Sequence, residues 1–219
     1  MTQLLFKYST MNSGKSLDLL KSVHNYEEQG KKCLLFTSEK DTRNGNLNSK
    51  QKDGIIYTRL GITAHAWLIE RVDPYKMAEY EKPHCIFVDE AQFLIKEKVL
   101  SLAAIVDELN VPVICYGLKN DFQNNLFEGS RNLLLYADKI TELKTICFFC
   151  DRKATMNMRT VNNTPVFDGT QICIDKSKET NIKYISVCRK CYMRIKKQNN
   201  KLNQEGRINV RSDKKYNSI

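Results

Sequence analysis

Ser9-Thr10-Met11-Asn12-Ser13-Gly14-Lys15-Ser16 stands between an apolar run at residues 4–8 and a segment of helical spacing, and its reading decides the fold. It approaches the phosphate-loop pattern G-x-x-x-x-G-K-[ST], with Ser9 where the first glycine is expected. Such a loop wraps backbone N–H groups around phosphate oxygens, and the helix that follows adds the positive end of its dipole. Gly14 allows close backbone approach, Lys15 neutralises β/γ phosphates and the Ser16 hydroxyl suits magnesium. A chance Gly-Lys-Ser is the alternative. Its place between a strand and a helix argues against chance.

Outward from this loop, Leu19, Leu20, Val23 and Tyr26 recur at helical spacing, and Gly30 is a stop signal. Residues 33–37 read as a buried strand, and the polar stretch 40–54 as a mobile loop. A helix is expected over 66–80, a strand over 85–89, a helix over 96–109 and a strand over 111–118. Helix, loop and strand continue to about Lys144, with no internal repeat. This alternation predicts an α/β fold: a P-loop (RecA-like) parallel sheet flanked by helices.

A second half of a phosphate site lies at residues 86–93, I-F-V-D-E-A-Q-F. A carboxylate ending a parallel strand beside the loop strand can hold magnesium, the role that fits Asp89. Metal binding needs one acid, so Glu90 is either a solvated strand-end residue or a proton acceptor for an attacking hydroxyl or water.

The chain has eight cysteines. Cys33, Cys85, Cys115 and Cys173 sit singly in apolar runs and read as small buried hydrophobes. Cys147 with Cys150, and Cys188 with Cys191, form two Cys-x-x-Cys pairs, the donor set of a tetrahedral structural Zn2+ site. The three histidines are remote in sequence, so four thiolates are the simplest ligand count. Residues 151–187 would then be a loop cinched at its base and able to act as a lid, with Tyr184 near one anchor. These breaks predict a P-loop ATP-binding domain at 1–144, a small zinc-binding lasso domain at 145–194 and a disordered basic tail at 195–219.

Of the net charge of +10, half comes from residues 195–219, which carry seven Lys or Arg against Glu205 and Asp213. A solvated tail and a functional basic arm are both readings of that segment. No run has the length of a membrane span and no signal peptide opens the chain, so no membrane partner is expected and the expected compartment is cytoplasmic.

Together S-T-M-N-S-G-K-S, D-T-R at 41–43, V-D-E-A-Q-F, Y-G-L-K-N-D-F at 116–122, C-F-F-C and K-Y-I-S-V-C-R-K-C resemble the thymidine kinase family of the type shared by many bacteria and the animal cytosol. The resemblance runs in order from about Leu4 to Tyr192. It implies transfer of the γ-phosphate of ATP, with Mg2+, to the 5′-hydroxyl of thymidine or deoxyuridine, giving dTMP in nucleotide salvage for DNA synthesis. By this resemblance Glu90 is the catalytic base, residues 9–16 and 89–92 (Asp89 and Gln92 among them) bind ATP, and Asp41 and Arg43 lie near the phosphates. Met11, Phe122, Ile174 and Tyr184 match nucleoside-pocket positions, and the four paired cysteines match the zinc ligands. The chain reads Ile174-Asp175-Lys176 where family members often carry Ile-Gly-Gly. The resemblance also implies a homotetramer and feedback inhibition by dTTP.

Three rival readings remain. A P-loop ATPase acting on nucleic acid would use the basic tail, but no aromatic-interleaved basic stripe accompanies it, and nucleic acid is not expected as a partner. A non-enzymatic zinc-knuckle module would leave Lys15, Asp89 and Glu90 without a role. A kinase of this fold acting on another nucleoside is the third.

Overall fold

The computed structural model describes residues 2–41, 50–171 and 181–202. The chain forms two compact units. One comprises Met1–Tyr8, Gly14–Lys119 and Leu126–Leu143; the other comprises Ser9–Ser13, Asn120–Asn125 and Lys144–Ile219.

The first unit is built on a seven-stranded sheet. In chain order its elements are β1 (Leu4–Ser9), α1 (Lys15–Glu27), β2 (Cys33–Thr37), β3 (Asp53–Tyr57), β4 (Thr63–Leu68), α2 (Pro74–Glu81), β5 (Cys85–Val88), α3 (Lys96–Leu109), β6 (Val113–Leu118), α4 (Glu128–Tyr136) and β7 (Lys139–Glu142). The strand order is β3-β4-β2-β5-β6-β1-β7. Parallel ladders join β4 to β2, β2 to β5, β5 to β6 and β1 to β7, while β3 and β4 pair antiparallel. The expected α/β fold with a mainly parallel sheet is observed.

Alternation along the central strands explains why their sequences read as continuous apolar runs. Leu34, Phe36, Ile86 and Val88 enter a core with Ala78, Val99, Leu102, Ile105 and Leu133 of α2, α3 and α4. Leu35, Cys85, Phe87 and Tyr116 enter a second core with Leu19, Leu20 and Val23 of α1. Both sets are buried, as a parallel sheet covered by helices requires. Burial pushes the thiol of Cys33 up to about 11 and that of Cys85 to about 12, and raises Cys115 too, so these thiols stay protonated packing groups. Cys173 lies outside the described residues.

Residues 66–80 are not one helix. They divide into the end of β4, a turn and α2. Ala66 and Leu68 are buried at alternate positions opposite β3, a period of two rather than 3.6. Helix α2 begins only where Asp73 caps the amides of Tyr75 and Lys76 and Pro74 occupies the first turn. Of the segment read as a mobile loop, 42–49 lies outside the described residues, and its end belongs to β3.

Lys7 of β1 ties the start of α1 to the sheet. Its ammonium donates to Asp18 at 2.9 Å and to the Tyr116 hydroxyl at 3.0 Å, and Tyr116 in turn donates to Asp18 at 3.0 Å. Partial burial opposes charge on both ions, but these bonds outweigh it, holding Lys7 above 10.5 and Asp18 below 3.8. The stabilisation from Asp18 is therefore complete above its unfolded value and lost as pH falls through the lower folded one. That from Lys7 is complete below 10.5 and lost as pH rises through the higher folded value. Asp18→Asn is expected to cost about 0.5–1 kcal/mol, allowing for solvent screening. In chemical denaturation across pH, the gap to wild type should be flat near neutrality and close in acid. A gap that persists in strong acid would exclude the ion pair as its source.

The second unit holds a three-stranded antiparallel sheet, ordered β10-β8-β9, from β8 (Met156–Val161), β9 (Thr164–Val166) and β10 (Ile182–Val187). Its core gathers Met156, Met158, Phe167, Val187, Tyr192 and Ile195 around the paired cysteines. Helix α5 (Arg189–Leu202) carries the chain eight residues into the segment read as a tail, and 203–219 lies outside the described residues. Among the described residues no helix is long and apolar enough to cross a membrane.

Candidate functional site

In the first unit the turn from β1 into α1 ends on Gly14, at φ 83° with open space where a Cβ would stand. A left-handed residue here costs a glycine nothing and a side-chain residue about 1 kcal/mol. Lys15 opens α1 and is buried. Ser16 Oγ donates to Asp89 Oδ2 at 2.7 Å, so the two segments singled out as halves of a phosphate site do meet. Asp89 is 1% exposed at the end of β5, and its other oxygen accepts the Glu90 amide at 3.0 Å.

Glu90 follows with φ 53°, a left-handed conformation uncommon for a residue with a side chain. It starts the short 3-10 turn Ala91–Phe93. Gln92, buried in that turn, donates from Nε2 to Glu90 Oε2 at 2.5 Å and accepts the Leu118 amide on Oε1 at 3.0 Å. Asp41 is buried just after β2, its amide bonded to Ser38 O. Arg43 lies outside the described residues.

In the second unit, Ser9–Ser13 form the front of the loop. Ser9 does not need the freedom of the glycine it replaces, since its φ is not positive and its hydroxyl is bonded to Thr10 O at 2.9 Å and to the Ser13 hydroxyl. Asn12 takes a left-handed φ of 60° and donates to Tyr184 O at 3.1 Å. Met11 is held by both its backbone polar groups: its N–H donates to Asn157 Oδ1 at 2.8 Å, and its carbonyl accepts from the Ser186 hydroxyl. Asn157 and Ser186 face each other across β8 and β10, and Asn157 also donates to Asn120 O at 2.8 Å.

Phe122 is buried, its carbonyl accepting from the Tyr192 hydroxyl at 2.7 Å. The Arg159 guanidinium lies 3.7 Å from its ring centroid and donates to Asp168 O and Thr170 O. The guanidinium thus stacks on Phe122 while fixing the start of the segment that leads to Ile174, which is itself outside the described residues. Asn157, Ser186 and Arg159 escaped the sequence reading. The signal was faint: Asn157 and Arg159 alternate with Met156 and Met158, and Ser186 stands between Ile185 and Val187.

The four paired cysteines converge, with Sγ atoms all within 4.8 Å of one another. Cys150 Sγ stands 3.7 Å from both Cys188 Sγ and Cys191 Sγ. Tetrahedral zinc with bonds of about 2.3 Å would set its thiolates about 3.8 Å apart, so the donor set fits. Backbone amides reinforce it: Phe149 N–H donates to Cys147 Sγ and Cys191 N–H to Cys188 Sγ, each at 3.4 Å. Burial opposes ionisation of Cys188, but the Cys191 amide and hydrogen bonds from the Cys191, Cys150 and Cys147 thiols bring it down to about 7, favouring the thiolate a metal requires. The cluster is compatible with a structural zinc site whose four positions are all filled by protein.

A family model described as thymidine kinase matches residues 2–192. A thymidine kinase of Streptococcus pyogenes serotype M6 is 53% identical over 195 residues, covering 88% of this chain and 97% of the relative. One from Lactococcus lactis subsp. lactis is 53% identical over 197 residues, covering 89% and 98%. Among solved structures, Bacteroides Pif1 bound to ssDNA aligns with 64% of this chain and 38% of its own at TM-score 0.37 and 15% identity, too slight to bear on function. With half its residues shared along nearly the whole of both relatives, this chain belongs to the thymidine kinase family.

Proposed function

We infer that this chain transfers the γ-phosphate of ATP to the 5′-hydroxyl of thymidine, or of deoxyuridine, in pyrimidine deoxynucleotide salvage. The observation that carries this reading, within a member of this family, is the Ser16–Asp89 hydrogen bond, which joins the phosphate loop to the strand end bearing Glu90. In the reaction the 5′-oxygen forms a bond to the γ-phosphorus as the bond to the β-bridging oxygen breaks. ADP leaves, and the hydroxyl proton passes to the Glu90 carboxylate. Residues 9–16 bind the phosphates through backbone amides and Lys15, with residues 89–92, Asp41 and Arg43 as further parts of the ATP site. Ser16 and Asp89 would hold Mg2+, which when bound with ATP neutralises charge on the β- and γ-oxygens. Met11, Phe122, Ile174 and Tyr184 line the nucleoside pocket, and Zn2+ on Cys147, Cys150, Cys188 and Cys191 ties the ends of the lasso. A cytoplasmic homotetramer inhibited by dTTP completes the reading.

The test is ATP turnover against thymidine, deoxyuridine, deoxycytidine and single-stranded DNA. ADP release that depends on thymidine, with dTMP formed one for one, is the expected result. DNA-stimulated hydrolysis without any nucleoside monophosphate would overturn the reading, and a preference for deoxycytidine would replace the acceptor.

A further inference from the structure

The net charge of +10 is not shared between the two units. The first holds 18 Lys or Arg against 18 Asp or Glu and is neutral, while the second holds 17 against 7 and so carries the whole excess. Within the second unit the excess is concentrated again. Helix α5 has six cations, Arg189, Lys190, Arg194, Lys196, Lys197 and Lys201, and no acid. Read as a sequence, residues 195–202 are part of a tail; only as a helix do their charges take fixed places.

The packing of α5 decides where those charges lie. Cys191, Tyr192 and Ile195 are buried in the core around the thiols, and Asn199 donates to Pro165 O at 3.2 Å. Those four positions share one side of the helix. Lys190, Arg194, Lys197 and Lys201 follow one another at spacings of four, three and four, which sets them in a row on the other side, and all four are exposed. At 1.5 Å per residue the row is about 16 Å long. Among the described residues none of the four is paired with a carboxylate, whereas Lys7, Lys32 and Arg71 of the first unit each are. Like charges three and four residues apart destabilise a helix, and a bound polyanion relieves that repulsion.

We propose that the outward face of α5 is a docking surface for the phosphate backbone of a nucleic acid, bound without reading its bases. The chemistry of the face selects this partner. Insertion into a membrane surface needs the apolar side of the helix free, and that side of α5 is taken up by the core. A protein interface is centred on apolar or aromatic anchors with charges at its rim, but Met193 alone is apolar among the described exposed residues of α5. A nucleic-acid backbone needs what is present, a regular row of cations matched to a regular row of phosphates. The row has no aromatic ring on which bases could stack, so the contact is electrostatic and independent of sequence. None of its residues belongs to the ATP or nucleoside sites, so the role stands whether or not the chain phosphorylates thymidine.

The test is fluorescence anisotropy of a labelled mixed-sequence DNA strand of about 20 nucleotides with the full chain, from about 50 to 200 mM salt. Binding in the range of about 1–100 μM is expected near physiological salt, with a slope of log K against log salt of about −3 or steeper and no change when the sequence is scrambled. The fourfold variant Lys190→Gln/Arg194→Gln/Lys197→Gln/Lys201→Gln should flatten that slope by about three and weaken binding about 30-fold at the lowest salt, with thymidine turnover unchanged. Should it melt early, Lys197→Gln/Lys201→Gln, outside the cysteine knuckle, carries the test with about half the change in slope. Unchanged affinity and slope in these variants overturn the proposal. So does a loss confined to Arg207→Gln/Arg211→Gln/Lys214→Gln/Lys215→Gln, which would place the contact beyond α5. Displacement of the strand by ATP at its KM would put it in the nucleotide site, and equal binding of a poly-glutamate peptide would make the partner an acidic protein; either result overturns the assignment.

Discussion

Glu90→Gln is expected to lower thymidine-dependent turnover about 10²–10⁴-fold while ATP binding is retained. The substitution keeps the size of the side chain and removes only its capacity to accept a proton. Glu90 is placed by its backbone, with its amide on Asp89 Oδ1 and its carbonyl accepting from Phe93 N–H, and neither bond involves the carboxyl group. The variant should therefore hold the same turn. The phosphate-holding groups are untouched, because Lys15 opens α1 and the Ser16–Asp89 bond depends on the neighbouring carboxylate. Loss confined to kcat, with nucleotide affinity within about threefold by calorimetry, is the signature of a group acting in the transition state. Near-wild-type turnover would remove Glu90 from the chemistry.

The second large effect is expected at the four-thiol cluster. Wild-type protein should carry one zinc per chain, and Cys188→Ser should lose it and unfold the second unit at a temperature well below wild type. The hydrophobic cluster around the thiols is small, and domains of this size commonly depend on a metal or disulfides for stability. Structural zinc contributes about 10–16 kcal/mol in isolated zinc-finger peptides, more than such a core supplies by itself. Cys188 directly follows Val187, the last residue of β10, and begins the run into α5. Ser186 on that strand and Asn157 opposite it hold Met11, so the front of the phosphate loop should loosen with the metal. The KM for thymidine is accordingly expected to rise tenfold or more on chelation, or kcat to collapse. Metal content by mass spectrometry, melting curves and kinetics provide the check. Zinc-free protein with an unchanged melt and full activity would dismiss the structural role.

Much of the first unit was legible because its core strands read as continuous apolar runs that alternate between two cores, and its helices carry apolar residues at helical spacing. Helix α3 was expected over 96–109 and spans Lys96–Leu109. Residues 66–80 misled because Ala66, Ile69 and Val72 recur three residues apart, which also satisfies a helical spacing. Only pairing with β3, which the polar residues 40–54 had concealed, makes 63–68 a strand. Ser9 was readable as an exception to the phosphate-loop pattern, but not why it is tolerated. That depends on its φ and on the Ser13 hydroxyl.

By itself the sequence determined the chemistry that consecutive or closely spaced residues can perform: Gly14-Lys15-Ser16 at a helix start, Asp89-Glu90 at a strand end, and two Cys-x-x-Cys knuckles. These follow from the reach of a few bonds, so pattern alone reveals them. Only the tertiary structure decided which groups hold that chemistry in place. Leu118 is 26 residues from Gln92, and Asn157 is 146 from Met11. Such bonds are set by the order of strands in a sheet and by the room that Gly117 and Gly129 leave, and neither is written in the local spacing of residues. A buried amide has its meaning from the partners that desolvation forces it to find, and those partners exist only once the chain has folded.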